Sequence, residues 1–356
     1  MRWGRANELR KHGSHSDMKV RAPFGFVTGC HAGDKFMVQA TLASMKRYCP
    51  AVPICLVVDG DVDVSDLVND YRPIVLRVGD LPSAEMRNLI AGSFHAKHAA
   101  MWEGPFEFYV WIDSDAIVWG DFTPQIRMDV DFQIFWSEIS IPADAREIPE
   151  WLPHFYFDPS KLQQLDPKFE WRGHAYFSAG VFGCRRNAIP FERYVELEAV
   201  GRQVPGLFES GLNSSKGDMG MLNYLVHAMG QRGELQTTVS DLHHVPAHQG
   251  RAEFEQDCAG NGWRFPQQIR RPRVAHFCGR KPFLFDRQAY SRPFTIARLE
   301  HHRRHHSDLG AWWAVLNEER HLLIRKLQRR LQRLNGKSGQ QRTASPRSIR
   351  DQELPS

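Results

Sequence analysis

The chain has 356 residues, 42% hydrophobic and 24% charged, which is enough to bury one large core or two small ones in a soluble globular protein. Its net charge of +5 is unevenly placed: residues 301–356 hold 12 basic and 5 acidic side chains, so the preceding body is near neutral and gives no ground for a nucleic-acid partner. The six cysteines include no C-x-x-C pair, which excludes a structural zinc site, and in a chain of this length they read as reduced core thiols.

Residues 1–21 are polar and basic, lack the apolar stretch of a secretory signal, and read as a flexible arm. No run of roughly 20 apolar residues follows, so no membrane span and a cytoplasmic location are expected. Regular alternation starts with Phe24-Gly25-Phe26-Val27-Thr28, a buried strand closed by Gly29. The spacing of Phe36, Ala40 and Ala43 predicts a helix over 34–47. Strands are predicted over 52–58, ending at Asp59-Gly60, and over 73–78; the pattern over 84–101 is helical. Phe108-Tyr109-Val110-Trp111-Ile112 is apolar on both faces, as a central parallel strand requires. Strands alternating with helices predict an α/β fold with a mostly parallel, doubly wound sheet. Ligands bind beyond the carboxyl ends of such strands, so Thr28-Gly29-Cys30, Asp59-Gly60-Asp61 and Asp113-Ser114-Asp115 are expected on one edge. After Pro124 the regularity fades into segments rich in Trp, Phe, Pro and His, over 141–159 and 168–183, that read as loops and short strands of an acceptor-side half; the aromatic residues from Trp136 to Trp171 suit either stacking on sugar faces or the core. Helical pattern returns over 218–229 and again over 312–334, the latter stopped by Asn335-Gly336. The expected division is an arm (1–21), an α/β domain (22–295), a basic helical tail (296–336) and a disordered C-terminus (337–356).

The chemistry centres on Trp111-Ile112-Asp113-Ser114-Asp115. D-x-D alone says little, and Asp59/Asp61, Asp61/Asp63 and Asp129/Asp131 repeat it. Only Asp113 and Asp115 follow directly on a strand apolar on both faces, where residues i and i+2 project the same way. Two carboxylates aimed together repel unless a cation lies between them, and oxygen ligands suit Mg²⁺ or Mn²⁺. Asp59 to Asp70 is not a calcium loop, because Val64 and Asp70 stand where Gly and Glu are needed. Asp59 is then either a turn carboxylate or a contact to a ribose or base. In Val274-Ala275-His276-Phe277-Cys278-Gly279-Arg280-Lys281-Pro282-Phe283, the imidazole of His276 is suited to complete a metal site, and Arg280 with Lys281 to neutralise diphosphate oxygens.

Taken in order, Phe26-Val27-Thr28, Asp113-Ser114-Asp115, Phe177-Ser178-Ala179-Gly180-Val181, Gly217-Asp218-Met219 and His276 to Phe283 resemble the motifs of glycosyltransferase family 8, the glycogenin and lipopolysaccharide galactosyltransferase group. The resemblance spans residues 24–285. Ser178 stands where the family carries Asn, Met219 where it carries Gln, and the last motif is one residue shorter and ends in Phe283 rather than Trp. The resemblance implies a GT-A fold and a metal-dependent transferase, using Mn²⁺ (or Mg²⁺) and a nucleotide-diphosphate sugar such as a UDP-sugar. The acceptor would be a glycan or a lipid-linked glycan, and transfer would proceed with retention. It further implies Asp113, Asp115 and His276 as metal ligands, Val27 and Thr28 at the base, Gly279 and Lys281 at the diphosphate, and Asp218 near the donor sugar. Lys97 is either an exposed helix cation or a donor contact, and Asp218 also suits a helix N-terminus on its own account.

In the tail, Leu316, Leu323, Leu327, Leu331 and Leu334 form one stripe among Arg320, Arg325, Lys326, Arg329, Arg330 and Arg333. Such a helix either lies on anionic lipid, as a peripheral contact on the inner face of a membrane, or packs on the domain or a partner by its stripe; packing is the simpler reading. Two other classes compete with the transferase. A sugar-nucleotide nucleotidyltransferase needs a Gly-rich, cationic phosphate loop after the first strand, which Thr28-Gly29-Cys30-His31-Ala32-Gly33 does not provide. A non-catalytic scaffold acting through the tail helix would not need Asp113, Asp115, His276 and Lys281 together.

Overall fold

The computed structural model describes residues 22–92, 94–135, 140–208, 218–246, 250–279, 282–284 and 290–336. Lys281, Arg280, Gly217, Trp136, the N-terminal arm and residues 337–356 lie outside the described residues, as do the side chains of Leu327, Leu331 and Leu334. The strands are β1 (Ala22–Cys30), β2 (Ile54–Val58), β3 (Ile74–Arg77), β4 (Phe106–Ile112), β5 (Ala116–Trp119), β6 (Phe132–Phe135), β7 (Ser140–Ile141), β8 (His174–Ala175), β9 (Val181–Arg185), β10 (Thr237–Ser240), β11 (His243–His244) and β12 (Arg273–His276).

Seven strands make one sheet in the order β10-β6-β9-β4-β1-β2-β3. Strands β3, β2, β1 and β4 run parallel, as do β6 and β10; β9 is antiparallel to both its neighbours. The alternation of strands and helices before Pro124 therefore reports a mostly parallel α/β sheet correctly. The reversal at β9 lies where that alternation has faded. Strand β4 is central, and its apolar run has a plain cause: Tyr109 and Trp111 enter the core on one face while Val110 and Ile112 enter the core on the other.

The helix Lys35–Tyr48 buries far more than the predicted stripe, including Met37, Val38, Thr41, Leu42 and Met45, because it is held between the sheet and a second helix, Arg292–His302. The helical pattern over 84–101 is one continuous run in sequence but not in space. It breaks after Ala84–Ile90 at Gly92, whose φ of 69° is left-handed, and resumes as a tight turn over Phe94–His98 and a short helix, Ala99–Glu103. The Gly92 amide donates to both carboxylate oxygens of Asp59, at 3.1 and 2.9 Å, so the carboxylate at the end of β2 holds the break in place.

Arg292–His302 crosses residue 295 with Phe294, Ile296, Ala297 and Leu299 buried. The long helix Asp308–Gly336 docks on it through Ala311 and Val315, and through Arg298. That guanidinium is buried; it donates to Glu318 at 3.0 and 2.8 Å, to the Val315 carbonyl at 3.2 Å, and to Glu319. Burial alone would raise the Glu318 carboxyl, but the His302 hydrogen bond and the charge of Arg298 hold it below the usual carboxylate range. Arg298→Ala is expected to cost about 2 kcal/mol, less than a fully dry pair, because the glutamates keep some contact with water. Urea unfolding of the two proteins checks this, and equal midpoints would show the cluster to be neutral.

The predicted packing of the Leu stripe on the domain is corrected for the described part of the helix. Leu309, Trp313 and Leu323 are 83%, 71% and 59% exposed, and Leu316 is exposed with them. The face that docks is the opposite one. Of the six cysteines, five are buried as expected and Cys278 is exposed.

Candidate functional site

The parallel register brings the carboxyl ends of β1, β2 and β4 to one edge, and the Asp59 amide donates to the Cys30 carbonyl at 3.0 Å. Asp113, Ser114 and Asp115 leave that edge between β4 and β5. Their turn is closed by the Ala116 amide on the Asp113 carbonyl at 3.0 Å, and the Thr41 hydroxyl lies 2.8 Å from both the Ser114 and Ala116 carbonyls. Strand β12 pairs antiparallel with β5 and sets His276 opposite Ala116; the Phe277 amide donates to the Asp115 carbonyl at 2.9 Å. This second, three-stranded sheet (β11-β12-β5) is what carries His276 to the aspartates from 161 residues away in sequence, the separation of positions 115 and 276.

The result is a cluster in which one ligand atom from each of Asp113, Asp115 and His276 lies within 4.8 Å of the others. His276 Nε2 is 3.3 Å from Asp115 Oδ1. Gly180 walls the cluster: a Cβ there would stand 2.4 Å from His276 Cε1, 3.0 Å from His276 Nε2 and 2.9 Å from Asp113 Oδ2. The Gly180 carbonyl accepts the Asp113 amide at 2.8 Å, and the Gly180 amide donates to Ser178 Oγ at 3.1 Å. Serine thus serves as a local cap in this turn. Trp111 Nε1 donates to Asp113 Oδ1 at 2.6 Å, which leaves Oδ2 as the oxygen facing the cluster. Two carboxylates, one imidazole and a wall that excludes a methyl group fit a small divalent cation with a taste for oxygen.

Lys97 and Asp218 join the same site. Lys97 Nζ lies 2.9 Å from Asp218 Oδ2, 3.6 Å from Asp113 Oδ2 and 3.4 Å from the Ala179 carbonyl. Burial opposes its charge, yet the Asp113 and Asp218 carboxylates outweigh burial and keep the amine protonated above its ordinary range. Asp218 shows the mirror balance: burial raises it, and Lys97 with His98 brings it below the ordinary carboxylate value. Lys97 is therefore not the exposed helix cation of the first alternative: it is buried and paired with Asp218. Asp218 is the first described residue of the helix Asp218–Gln231, and Asn223 ties that helix to the 177–181 turn by donating to the Phe177 carbonyl at 2.8 Å and accepting from the Phe177 amide at 3.1 Å.

The remaining expected residues fall differently. Val27 is wholly buried in the core with Trp111, so only its main chain can face a ligand. Thr28 is buried too, with a hydroxyl that has no partner among the described residues. Asp59 spends its carboxylate on Gly92. Gly279 takes a left-handed φ of 79° in open space, a turn only glycine makes easily. Lys281 lies outside the described residues.

Two contributors escaped the sequence reading. Trp111 looked like core, and its indole nitrogen does reach Asp113. His243 sits in a two-residue strand with no periodic signal, yet its Nε2 is 2.9 Å from His276 Nδ1.

No family model matches the chain, and no curated protein matches it. Solved structures do. The fold is similar to the galactosyltransferase LgtC, solved in complex with donor and acceptor sugar analogues, at 14% identity over 77% of this chain and 95% of that one, with a TM-score of 0.46. It is similar to the bifunctional glycosyltransferase WbbM (14% identity, 78% of this chain, 50% of that one, TM-score 0.47). It is also similar to the glycosyltransferase GlyE of Streptococcus pneumoniae TIGR4 (13% identity, 84% and 63%, TM-score 0.44).

Proposed function

We propose that the protein is a metal-dependent glycosyltransferase of GT-A type that moves a sugar from a nucleotide-diphosphate donor, a UDP-sugar, to a glycan or lipid-linked acceptor with retention. The observation that supports it most is the convergence of Asp113, Asp115 and His276 beside the Lys97–Asp218 pair, at the carboxyl edge of the parallel strands. Bound there, Mn²⁺ or Mg²⁺ would supply positive charge against a diphosphate leaving group. The chain's own residues would do the rest. Asp113 and Asp115 hold the cation, and the neutral imidazole of His276 completes the set without adding charge. Asp218 faces the sugar. Lys97 fixes Asp218 as a carboxylate and keeps the second oxygen of Asp113 aligned. The main chain at Val27 and Thr28 borders the base, the Asp59–Gly92 contact shapes the ribose side, and Gly279 and Lys281 hold the diphosphate.

The test is calorimetric UDP binding with Mn²⁺ and with chelator, followed by proton NMR of the product's anomeric configuration. Binding that needs Mn²⁺ and transfer with retention are expected. A folded protein that binds no nucleotide diphosphate would sink the reading, and release of pyrophosphate from a nucleoside triphosphate and a sugar phosphate would replace it with the nucleotidyltransferase.

A peripheral membrane contact rests on a separate observation, the solvent-facing row Leu309, Trp313, Leu316 and Leu323 on a helix that also bears Arg320 and further basic residues. No helix among the described residues is long and apolar enough to cross a membrane. Flotation with anionic phosphatidylglycerol vesicles should retain the protein and neutral vesicles should not. Trp313→Ala with Leu323→Ala should lose most of that binding; flotation unaffected by the double substitution would remove the helix from the account.

A further inference from the structure

We propose that His243 is a positioning residue for the metal ligand His276: its Nε2 accepts the Nδ1–H of His276 and so keeps the His276 Nε2 lone pair turned toward Asp113 and Asp115. This rests on the metal reading given above.

Strand β11 pairs parallel with β12, with His243 opposite Val274 and His244 opposite Ala275, and the Val274 amide donates to the Leu242 carbonyl at 2.8 Å. From that register the His243 ring reaches along β12 to His276. The two rings lie 5.1 Å apart between centroids with planes at 53°, and Nε2 of one is 2.9 Å from Nδ1 of the other. Both side chains are buried.

A neutral imidazole carries one N–H, and it ligates a cation through the nitrogen without it. His276 Nε2 is the nitrogen beside Asp115, so a ligating His276 must carry its proton on Nδ1. The acceptor placed at Nδ1 is His243. Ligating histidines usually rest on a carboxylate or carbonyl at this point; here a second imidazole takes that place. The assignment puts the proton of His243 on its own Nδ1, a buried atom with no hydrogen-bond partner among the described residues. A buried unpaired donor works against folding. His243 is therefore poorly explained by stability and well explained by what it does to its neighbour.

The experiment titrates Mn²⁺, read from the EPR signal of the free ion, into the full-length parent, His243→Leu, His243→Gln and Asp115→Ala, with metal-free melting curves for each. His243→Leu should weaken Mn²⁺ binding about 10–100-fold while melting no earlier than the parent without metal. His243→Gln, whose Oε1 offers an acceptor near the Nε2 position, should regain most of the loss. Binding within about twofold of the parent in His243→Leu, or a loss that follows a lowered melting temperature and is not rescued by Gln, would overturn the role of His243. If the parent binds Mn²⁺, Asp115→Ala abolishes it and His243→Leu leaves it unchanged, the role of His243 alone fails. If the parent binds no Mn²⁺, the metal reading fails and takes this one with it.

Discussion

Asp115→Ala should abolish Mn²⁺-dependent UDP binding, and Gly180→Ala should come close to the same result without touching a ligand. The first removes one of two charges that make the cluster attractive to a cation. The second adds a methyl group 2.4 Å from His276 Cε1 and 2.9 Å from Asp113 Oδ2, closer than any real Cβ contact. His276 is tethered from behind by His243 and by the β12 pairing, so the ring has little room to yield. Donor turnover should fall at least about 10²–10³-fold in either variant, the size expected for losing one preorganised charge-stabilising element. Calorimetry with UDP and Mn²⁺, beside a melting curve to show the fold intact, makes the comparison. Unchanged Mn²⁺-dependent binding in Asp115→Ala would contradict the site. Unchanged binding in Gly180→Ala would show that His276 or the 177–181 turn shifts freely.

Lys97→Met should destabilise the metal-free protein by about 3 kcal/mol at neutral pH, because it strands the buried carboxylate of Asp218 and removes the cation beside the half-buried Asp113. The sign of the pH dependence follows from the shifts. Lys97 is raised, so its contribution is complete below its unfolded value and is lost only at strongly alkaline pH. Asp218 is lowered, so its contribution is present above the unfolded carboxylate value and fades as pH falls through its folded one. Without Lys97, the burial that already raises Asp218 is opposed only by the neighbouring His98 and His95. The gap between parent and variant should therefore be widest from pH 6 to 9 and shrink toward pH 4, where protonated Asp218 needs no cation, the range over which carboxylates titrate. Added Mn²⁺ should narrow it as well by neutralising Asp113. Urea unfolding across this range tests the claim, and a gap that grows on acidification would contradict it.

How much of this was legible beforehand depended on the range of the forces involved. Local period reported β1, β2 and β4, since a strand buried on both faces must be apolar throughout, and a parallel register then brings their ends together. That logic placed Asp113 and Asp115 at the sheet edge and separated them from the other D-x-D pairs. Order along the chain, with the family resemblance, singled out His276 and Asp218, which the structure brings beside Asp113. Local period failed over 84–101, because Gly92 and the distant Asp59 carboxylate, not residue spacing, decide where the helix stops. It also failed for the tail, where an apolar stripe indicates one-sidedness but not which side faces the protein.

Sequence by itself thus determined the α/β class, the central strand and the identity of the paired aspartates, because those follow from backbone period and from charge repulsion between near neighbours. Only the tertiary structure decided that Lys97 is a buried partner of Asp218, that Asp59 is engaged by Gly92 and that His243 stands behind His276. These are contacts between groups 121, 33 and 33 positions apart, respectively, brought within about 3 Å by strand register and helix docking. Hydrogen bonds and buried ion pairs reach no further than that, so nothing in the linear order of residues could carry them.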